Sequence, residues 1–300
     1  MILGIDIGGT NIKFGVTDEN FNVVKKLTLP TNAHLGIDSV VNTILEGAKR
    51  LMNDVPYDKI GLGTPGEIDC ERGLLVSSAN IPYSNTPIAK ILSDALRVPV
   101  MLGNDATCAT MAEAYAGHGK QYENFVMLTL GTGVGGGIVI GGKPYYGARG
   151  MAGEFGHISV NINGDMCRCG IRGCLENYAS VSALIKMTKD AARKHEDSLL
   201  ANRIRTHGLD GKTAFDAQSN GCPIAKEVIR EFTNNIALGL INYQRIFDPE
   251  AIVLGGAITA EGDALLTPIK EAANLPCPVL ISALSADVGI IGAAVLATID

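Results

Sequence analysis

A histidine and three cysteines in the second half of the chain stand at a spacing that suits a metal ion. The four residues follow the pattern H-x9-C-x-C-x4-C and are His157, Cys167, Cys169 and Cys174. Structural zinc sites use four thiolate or imidazole ligands in a tetrahedron, and three cysteines with one histidine form a recognised set. The alternative is a loop of unliganded thiols. We predict a closed, structural zinc site that holds the segment carrying Glu154 and Glu176.

Two turns rich in glycine and threonine follow apolar, strand-like runs, and both could bind phosphate. They comprise residues 8–11 and 131–133. Backbone N–H groups that point into a tight turn form a concavity for anions, although either turn alone could be an ordinary β-turn. Asp6 stands just before the first turn. A carboxylate beside a phosphate needs a cation between them, and hydrated Mg²⁺ is the natural one. The alternative role of Asp6 is to cap the turn.

Three further glycine patterns are weaker evidence for nucleotide binding. Residues 131–136 match G-x-G-x-x-G, but a strand-like run follows where a dinucleotide site needs a helix. Residues 137–143 match G-x-x-x-x-G-K, but Pro144 follows and offers no hydroxyl for magnesium. Residues 255–257 follow an apolar run and offer a flat backbone surface that suits an adenine ring, although such turns are common.

The elements that must position these groups alternate between strands and helices, which predicts an α/β protein. Apolar runs predict strands at residues 2–7, 12–17, 59–63, 99–103, 125–130, 137–140 and 251–254. Helical spacing predicts helices at residues 37–53, 87–96, 106–116, 180–194, 224–247 and 289–299. The strand–turn–strand pattern at the N-terminus recurs from residue 125, which indicates a duplicated phosphate-binding unit.

Composition narrows the class of protein. The chain has 300 residues, 46% of them hydrophobic, and a net charge of −6, so no excess of positive charge favours nucleic acid. Residues 125–142 carry no charge, as a membrane span would, but their glycines favour two strands around a turn. An odd count of seven cysteines and no recognisable signal peptide argue against a disulfide framework and for the reducing cytoplasm. The cysteines outside the cluster are expected in the core: Cys70, Cys108, Cys222 and Cys277.

Almost the whole chain resembles the ROK family (repressors, open reading frames, kinases). The resemblance rests on the stretch from Asp6 to Lys13, the pair Asn104-Asp105, and the Leu254-Gly-Gly turn. It rests most specifically on Glu-Phe-Gly-His at residues 154–157 paired with Cys-x-Cys-Gly-x-x-Gly-Cys-x-Glu at residues 167–176.

The resemblance implies a two-domain, actin-like ATPase fold (ribonuclease H-like), with sugar bound in an interdomain cleft. One domain would comprise residues 1–118 plus 289–300, with the first phosphate turn and the catalytic aspartate. The other would comprise residues 119–288, with the zinc site, sugar contacts and adenine-side glycines. The resemblance also implies a homodimer.

The resemblance assigns roles to individual residues. Asp105 would be the catalytic base, which orients a sugar 6-hydroxyl toward the γ-phosphorus of ATP, although Asn104-Asp105 could instead cap the following helix. The sugar contacts would be Gly66, Asn80, Asn104, Asp105, Glu154, His157 and Glu176. His157 could bind zinc through one ring nitrogen and face the sugar with the other. The nucleotide side would comprise Asp6, Gly8, Gly9, Thr10, Asn11, Lys13, Thr132, Gly133, Gly255 and Gly256.

The implied activity is ATP-dependent phosphorylation of the 6-hydroxyl of a hexose, with ATP and Mg²⁺ as cofactors and D-glucose as the first candidate. ROK glucokinases often place a tryptophan shortly after the residue matched by Asn80, and this chain has no tryptophan. Allose, fructose, N-acetylmannosamine and N-acetylglucosamine therefore remain alternative acceptors, and polyphosphate an alternative donor. The family also contains repressors with an N-terminal helix-turn-helix. We expect no such module, since the Asp6 strand begins at residue 2. A non-catalytic sugar sensor is the most distant alternative.

Overall fold

A computed structural model describes residues 1–78, 81, 83–148, 151–284 and 287–299. The first part of the chain contains β1 (Ile2–Ile7), β2 (Asn11–Thr17), β3 (Val23–Pro30), α1 (Ile37–Asp54), β4 (Lys59–Thr64), β5 (Glu67–Asp69), β6 (Leu74–Ser77), β7 (Ser84–Thr86), α2 (Ile88–Leu96), β8 (Val100–Asn104) and α3 (Asp105–Ala116).

The second part of the chain continues the alternation of strands and helices. Its elements are β9 (Phe125–Leu130), β10 (Val134–Ile140), β11 (Lys143–Pro144), α4 (Glu176–Ala179), α5 (Val181–Lys194), α6 (Leu199–His207), α7 (Thr213–Ser219), α8 (Pro223–Phe247), β12 (Ala251–Gly255), α9 (Asp263–Ala273), β13 (Val279–Ile281) and α10 (Val288–Leu296).

The chain divides into two compact units. Unit 1 comprises Met1–Gln121, Gly142–Ala152 and Ala283–Asp300, and unit 2 comprises Tyr122–Gly141 and Gly153–Ser282. The N-terminal and C-terminal segments of the chain thus belong to one unit. The boundary predicted near residues 117–119 lies close to one of the observed division points, whereas residues 142–152 return to unit 1.

Unit 1 is built on a five-stranded sheet in the order β3-β2-β1-β4-β8. β1 runs antiparallel to β2 and parallel to β4, which in turn runs parallel to β8. Helix α1 covers this sheet through an apolar stripe at helical spacing, which includes Val40, Ile44 and Leu51. The order places the ends of β1, β4 and β8 side by side, and the predicted catalytic groups follow those ends.

Helix α10 packs closely against the other elements of unit 1 because glycines on both sides leave room. A Cβ at Gly4 or Gly61 would overlap backbone carbonyls of α10, and one at Gly292 would overlap the carbonyl of Cys108 in α3. These contacts join β1, β4 and α3 to one helix. A methyl group at Gly4 or Gly61 would push α10 off the sheet, and one at Gly292 would push it away from α3.

Unit 2 repeats the central part of this arrangement, with strands in the order β10-β9-β12-β13. β9 is antiparallel to β10 and parallel to β12, which is parallel to β13. The apolar run at residues 125–142 therefore forms β9 and β10, as expected from its glycines. Among the helices of the described residues, none combines the length and apolar character needed to cross a bilayer.

The cysteines are all free thiols. Cys108 and Cys222 are buried, as expected for core residues, and Cys277 is partly buried. The expectation was wrong for Cys70, which is exposed in the turn after β5. A turn leaves its side chains toward solvent whatever their polarity.

Candidate active site

Asp6 lies near the end of β1, opposite Lys13 of β2 in the antiparallel register. The Lys13 Nζ is 4.0 Å from the Asp6 Oδ2. Burial raises the pKa of Asp6, Lys13 lowers it, and the charge of Asp105 raises it again. Two carboxylates in unit 1 therefore influence each other, and together they offer the oxygen ligands that Mg²⁺ accepts.

The turn after β1 is fixed by threonine. The N–H of Gly8 donates to the carbonyl of Asn11 at 2.9 Å. The Thr31 hydroxyl donates to the Gly8 carbonyl at 2.6 Å, and the Thr31 N–H donates to the Thr10 carbonyl at 2.9 Å. With these carbonyls bonded to Thr31, which follows β3, the shape of the turn is set.

Asp105 begins α3 directly after the last residue of β8. Asn104 caps the helix, since its Oδ1 accepts the Ala106 N–H at 2.9 Å, and the Asp105 Oδ1 accepts the same N–H at 2.8 Å. The Asp105 side chain is reached by solvent. Desolvation by the protein around it still raises its pKa, against the lowering effect of the Ala106 bond. The capping role and the predicted base role are compatible, because Asn104 is the capping residue that precedes α3.

The Thr64-Pro65-Gly66 turn after β4 lies beside Asn104. The Asn104 Nδ2 donates to the Gly66 carbonyl at 3.2 Å. Gly66 has a φ of +107°, and a Cβ there would overlap the Ser77 carbonyl. Both the backbone conformation and the lack of space therefore require glycine at this position. An asparagine amide has two N–H donors and an oxygen with two lone pairs. One N–H of Asn104 and a lone pair on its oxygen therefore remain for a ligand.

Tyr83 fixes the position of this turn through its hydroxyl, although no sequence pattern marked it as a functional residue. Its side chain is buried, and its hydroxyl lies 3.2 Å from the Thr64 Oγ1 and donates to the Pro65 carbonyl. Burial raises its pKa, and the Asp105 charge raises it further. The only sequence signal was position, since Tyr83 stands shortly after Asn80, where family members often carry tryptophan.

The second glycine turn, residues 131–133, is fixed by helix α5. The Val181 N–H donates to the Gly131 carbonyl at 2.8 Å, and the Ser182 hydroxyl donates to the Thr132 carbonyl at 2.7 Å. Strand β10 follows this turn, so the G-x-G-x-x-G match leads into a strand, as the sequence indicated.

Gly255 and Gly256 end β12 beside the same turn. Gly255 pairs with Thr129 in the parallel register. Gly256 has a φ of +99°, and a Cβ there would overlap the Leu130 carbonyl. The backbone at Gly256 thus lies against Leu130, the last residue of β9 and two residues before Thr132.

The predicted zinc ligands converge in unit 2. Each of His157, Cys167, Cys169 and Cys174 offers a ligand atom within 4.8 Å of all the others. The Cys167 Sγ is 3.7 Å from the His157 Nδ1, and the Cys169 Sγ is 3.4 Å from the Cys174 Sγ. Ligands about 2.0–2.3 Å from a tetrahedral zinc lie about 3.3–3.8 Å apart, so the donor set and its spacing fit zinc.

His157 also faces Glu154. Its Nε2 is 3.9 Å from the Glu154 Oε2, while its Nδ1 faces the thiols. The intervening Phe155 is buried and stacks on Tyr243 at 4.3 Å between ring centroids, and the Tyr243 hydroxyl donates to the Phe155 carbonyl at 2.7 Å. This packing directs Glu154 and one edge of the imidazole away from the core.

The predicted residues gather within each unit. Unit 1 brings together one set, listed here: Asp6, Gly8, Gly9, Thr10, Asn11, Lys13, Gly66, Asn104 and Asp105. Unit 2 brings together the other: Thr132, Gly133, Glu154, His157, Glu176, Gly255, Gly256 and the three cysteines. Asn80 lies outside the described residues. The roles of these residues in catalysis and binding remain predictions.

The chain matches known proteins at the level of family, sequence and structure. A family profile described as "ROK family" matches residues 2–299. A glucokinase from Streptomyces coelicolor is 36% identical over 277 residues, which cover 90% of this chain and 86% of the relative. An N-acetyl-D-glucosamine kinase from Pectobacterium carotovorum is 33% identical over 272 residues, which cover 86% and 84% of the two chains. A ROK family glucokinase from Streptomyces griseus, solved with glucose and AMPPNP, superposes with a TM-score of 0.87 at 32% identity, covering 99% of both chains.

The fold and the paired glycine turns define a protein of the actin-like ATPase class, which confirms the predicted α/β fold class. The chain belongs to the ROK family.

Proposed function

We propose that this protein is an ATP-dependent sugar kinase that phosphorylates the 6-hydroxyl of a hexose, with D-glucose as the acceptor. The observation that carries the proposal is Asp105, a carboxylate with a raised pKa at the start of α3, beside the turn that Asn104 holds. Relatives named glucokinase that align over most of the chain support the activity and the acceptor.

The reaction needs positioning more than covalent help from the protein, because phosphoryl transfer has a loose transition state. Asp105 accepts a hydrogen bond from the 6-hydroxyl and aligns its oxygen with the γ-phosphorus. As the new O–P bond forms and the bond to the β-phosphate oxygen breaks, the hydroxyl proton passes to the Asp105 carboxylate. A raised pKa makes that carboxylate a better acceptor for the late proton transfer.

The nucleotide side uses both glycine turns. The backbone N–H groups of the two turns bind phosphate oxygens, and Lys13 adds a positive charge. Asp6 would hold Mg²⁺ through its carboxylate, and the ion would supply positive charge that offsets the charge of the transferred phosphoryl group. Gly255 and Gly256 give the adenine ring a flat surface.

Zinc has a structural role in this proposal. His157 and the three cysteines would hold the ion with a complete set of four protein ligands, and such a set would stabilise the loop rather than take part in the reaction. If the thiol-facing Nδ1 of His157 binds the ion, its Nε2 would be left to donate toward the sugar, beside Glu154. Glu154, His157 and Glu176 then address the hydroxyls around C1 to C3.

The acceptor is decided by an ADP-coupled assay with Mg-ATP across glucose, allose, mannose, fructose, N-acetylmannosamine and N-acetylglucosamine. Glucose is expected to give the highest kcat/KM. N-Acetylglucosamine is the second candidate, because a kinase for that sugar aligns at similar identity. Preference for another sugar would change the proposed acceptor but leave the proposed kinase activity standing. No turnover with any of them, although ATP binds, would favour a sensor.

Assembly and location complete the proposal. We infer a homodimer from family membership, which light scattering on the purified protein tests directly. We place the protein in the cytoplasm, where free thiols and a thiolate metal site stay reduced.

A further inference from the structure

Glu176 contacts the phosphate-binding turn of unit 2 directly. It is the first residue of α4, and its Oε2 accepts the N–H of Val134 at 2.9 Å. Val134 begins β10 immediately after the turn at residues 131–133. One side chain of the cysteine-bearing segment is therefore bonded to the nucleotide side of this unit.

Gly133 shows how close this contact is. A Cβ at Gly133 would overlap the same Oε2 of Glu176. By contrast, a Cβ at Gly131, two residues earlier in the same turn, would meet nothing within 4 Å. The carboxylate thus covers one end of the turn and leaves the other open.

The Glu-Phe-Gly-His segment packs on Val134 as well. A Cβ at Gly156 would overlap the Val134 carbonyl, and a Cβ at Gly136 would overlap the Phe155 ring. Val134 is therefore enclosed between Glu176 at its N–H and Gly156 at its carbonyl. Both enclosing residues belong to segments that also carry metal ligands.

The position of Glu176 is fixed by the metal-binding loop. It follows Cys174 by two residues, and the intervening Leu175 N–H donates to the Ile158 carbonyl at 2.9 Å. Ile158 in turn follows His157. The backbone that carries two of the four predicted zinc ligands thus sets where the carboxylate lies.

We propose that Glu176 is a positioning residue for the nucleotide as well as a sugar contact. Its Oε2 holds the Val134 N–H and so fixes the turn that binds phosphate, while its Oε1 accepts from a sugar hydroxyl. One carboxylate then links the two substrates, so that occupancy by sugar stabilises the turn and occupancy by nucleotide orients the carboxylate. This proposal rests on the proposed kinase function.

The test measures the Kd of Mg-ADP by calorimetry with no sugar present. Glu176→Ala is expected to weaken ADP binding about tenfold, because the Val134 N–H loses its partner. Glu176→Asp withdraws the carboxylate by one methylene and should weaken binding to a similar extent. Glu176→Gln keeps an oxygen at the same reach and should recover most of the affinity. Glu154→Ala is the matched control. It removes the neighbouring predicted sugar carboxylate, which has no described contact with the turn, and should leave the Kd of ADP unchanged.

Amide hydrogen exchange of the peptide covering residues 131–136 provides a second reading without any ligand. Faster exchange in Glu176→Ala and Glu176→Asp, but not in Glu154→Ala, is expected. Unchanged exchange in the two Glu176 variants, or unchanged ADP affinity of Glu176→Ala, would overturn the proposal and leave Glu176 as a sugar contact only. If wild-type protein binds no ADP, the proposed function fails and the nucleotide role of Glu176 with it, while the exchange result still decides whether the bond to Val134 exists.

Discussion

The β1–β2 and β9–β10 hairpins have the same construction but different chemistry. Each has an inner strand of six residues with the same order of burial, a three-residue turn and a second strand of seven residues. In each, the inner strand also pairs in parallel with a later strand. The fifth residue of the inner strand differs: it is Asp6 in β1 and Thr129 in β9.

The two turns are also held by different parts of the chain. Thr31, which follows β3, bonds the first turn, whereas α4 and α5 bond the second. The first hairpin carries its own carboxylate, and the second receives one from Glu176. A repeated scaffold thus supplies two similar turns, and the fifth position of the inner strand gives a carboxylate to the first hairpin and a hydroxyl to the second.

The largest expected effect is the loss of turnover when Asp105, the proposed base of unit 1, is replaced. Asp105→Asn should lower kcat by about 10²–10⁴-fold, the usual contribution of general base catalysis. Sugar binding, measured by calorimetry, should persist. A near-normal kcat would show that the acid–base chemistry does not reside beside the first hairpin.

Asp6→Thr gives the first hairpin the residue that the second carries. We expect kcat/KM for Mg-ATP to fall about 10–100-fold, since a charge-assisted contact to the ion is lost. The variant should fold at least as well as the wild type, because burial raises the pKa of Asp6 and its charge is disfavoured in the folded state. Thr129→Ser is the matched change in the other hairpin, and its activity should remain close to normal.

Cys169→Ser tests whether only the second hairpin depends on the metal site. The variant should lose zinc and have a lower Tm, because one of the four predicted ligands is removed. Hydrogen exchange should increase in residues 131–136 but not in residues 6–11. Cys277→Ser, a change outside the cluster in the same unit, should retain zinc. Zinc-free wild-type protein by metal analysis would refute the site.

Gly133→Ala and Gly131→Ala compare the two ends of one turn. The first should cost about 0.5–1.5 kcal/mol of stability, because the added methyl displaces the Glu176 carboxylate from its bond with the Val134 N–H. The second should change stability by less than about 0.5 kcal/mol, since the space around Gly131 is open. Denaturant unfolding measures both, and equal losses would contradict the described position of Glu176.

The smallest effect concerns pH. Because desolvation by the surrounding protein raises the pKa of Asp105, its proton should be lost at a pH above the usual value of about 4. The acid limb of kcat/KM should therefore lie above that value, with activity falling as pH decreases through it. A pKa that is higher in the folded than in the unfolded protein means that the ionised carboxylate destabilises the fold once the pH exceeds the raised value. Asp105→Asn should therefore raise the Tm slightly at pH 7.5 and not at pH 3. An acid limb at or below the usual aspartate pKa would contradict the desolvation described for Asp105.

Local patterns in the sequence predicted much of the fold. The inner strands of both hairpins, helix α1 and helix α8 begin and end within one or two residues of their predicted bounds. The clustering of His157 with Cys167, Cys169 and Cys174 could be predicted because the four residues lie close together in the sequence, and zinc binding there stays a prediction. β3 and the small sheet of β5, β6 and β7 were not predicted, since their exposed or very short strands carry little apolar periodicity.

Contacts between distant segments could not be predicted from the sequence. Nothing near Tyr83 indicates that its hydroxyl reaches Pro65, and nothing near Glu176 indicates a bond to Val134, 42 residues earlier. The glycine at residue 133 suggested a turn but not which side chain excludes a methyl group there. Such contacts depend on how complete strands and helices pack, and residue patterns specify that only indirectly.

The close seating of α10 on Gly4 and Gly61 has a consequence for the order of folding during synthesis. Among the described elements, α10 leaves the ribosome last, yet it completes the core that surrounds β1, which leaves first. Unit 2 comprises residues 122–141 and 153–282, all of which precede α10 in the chain. The face of β1 and β4 that carries Gly4 and Gly61 therefore stays uncovered until α10 has emerged.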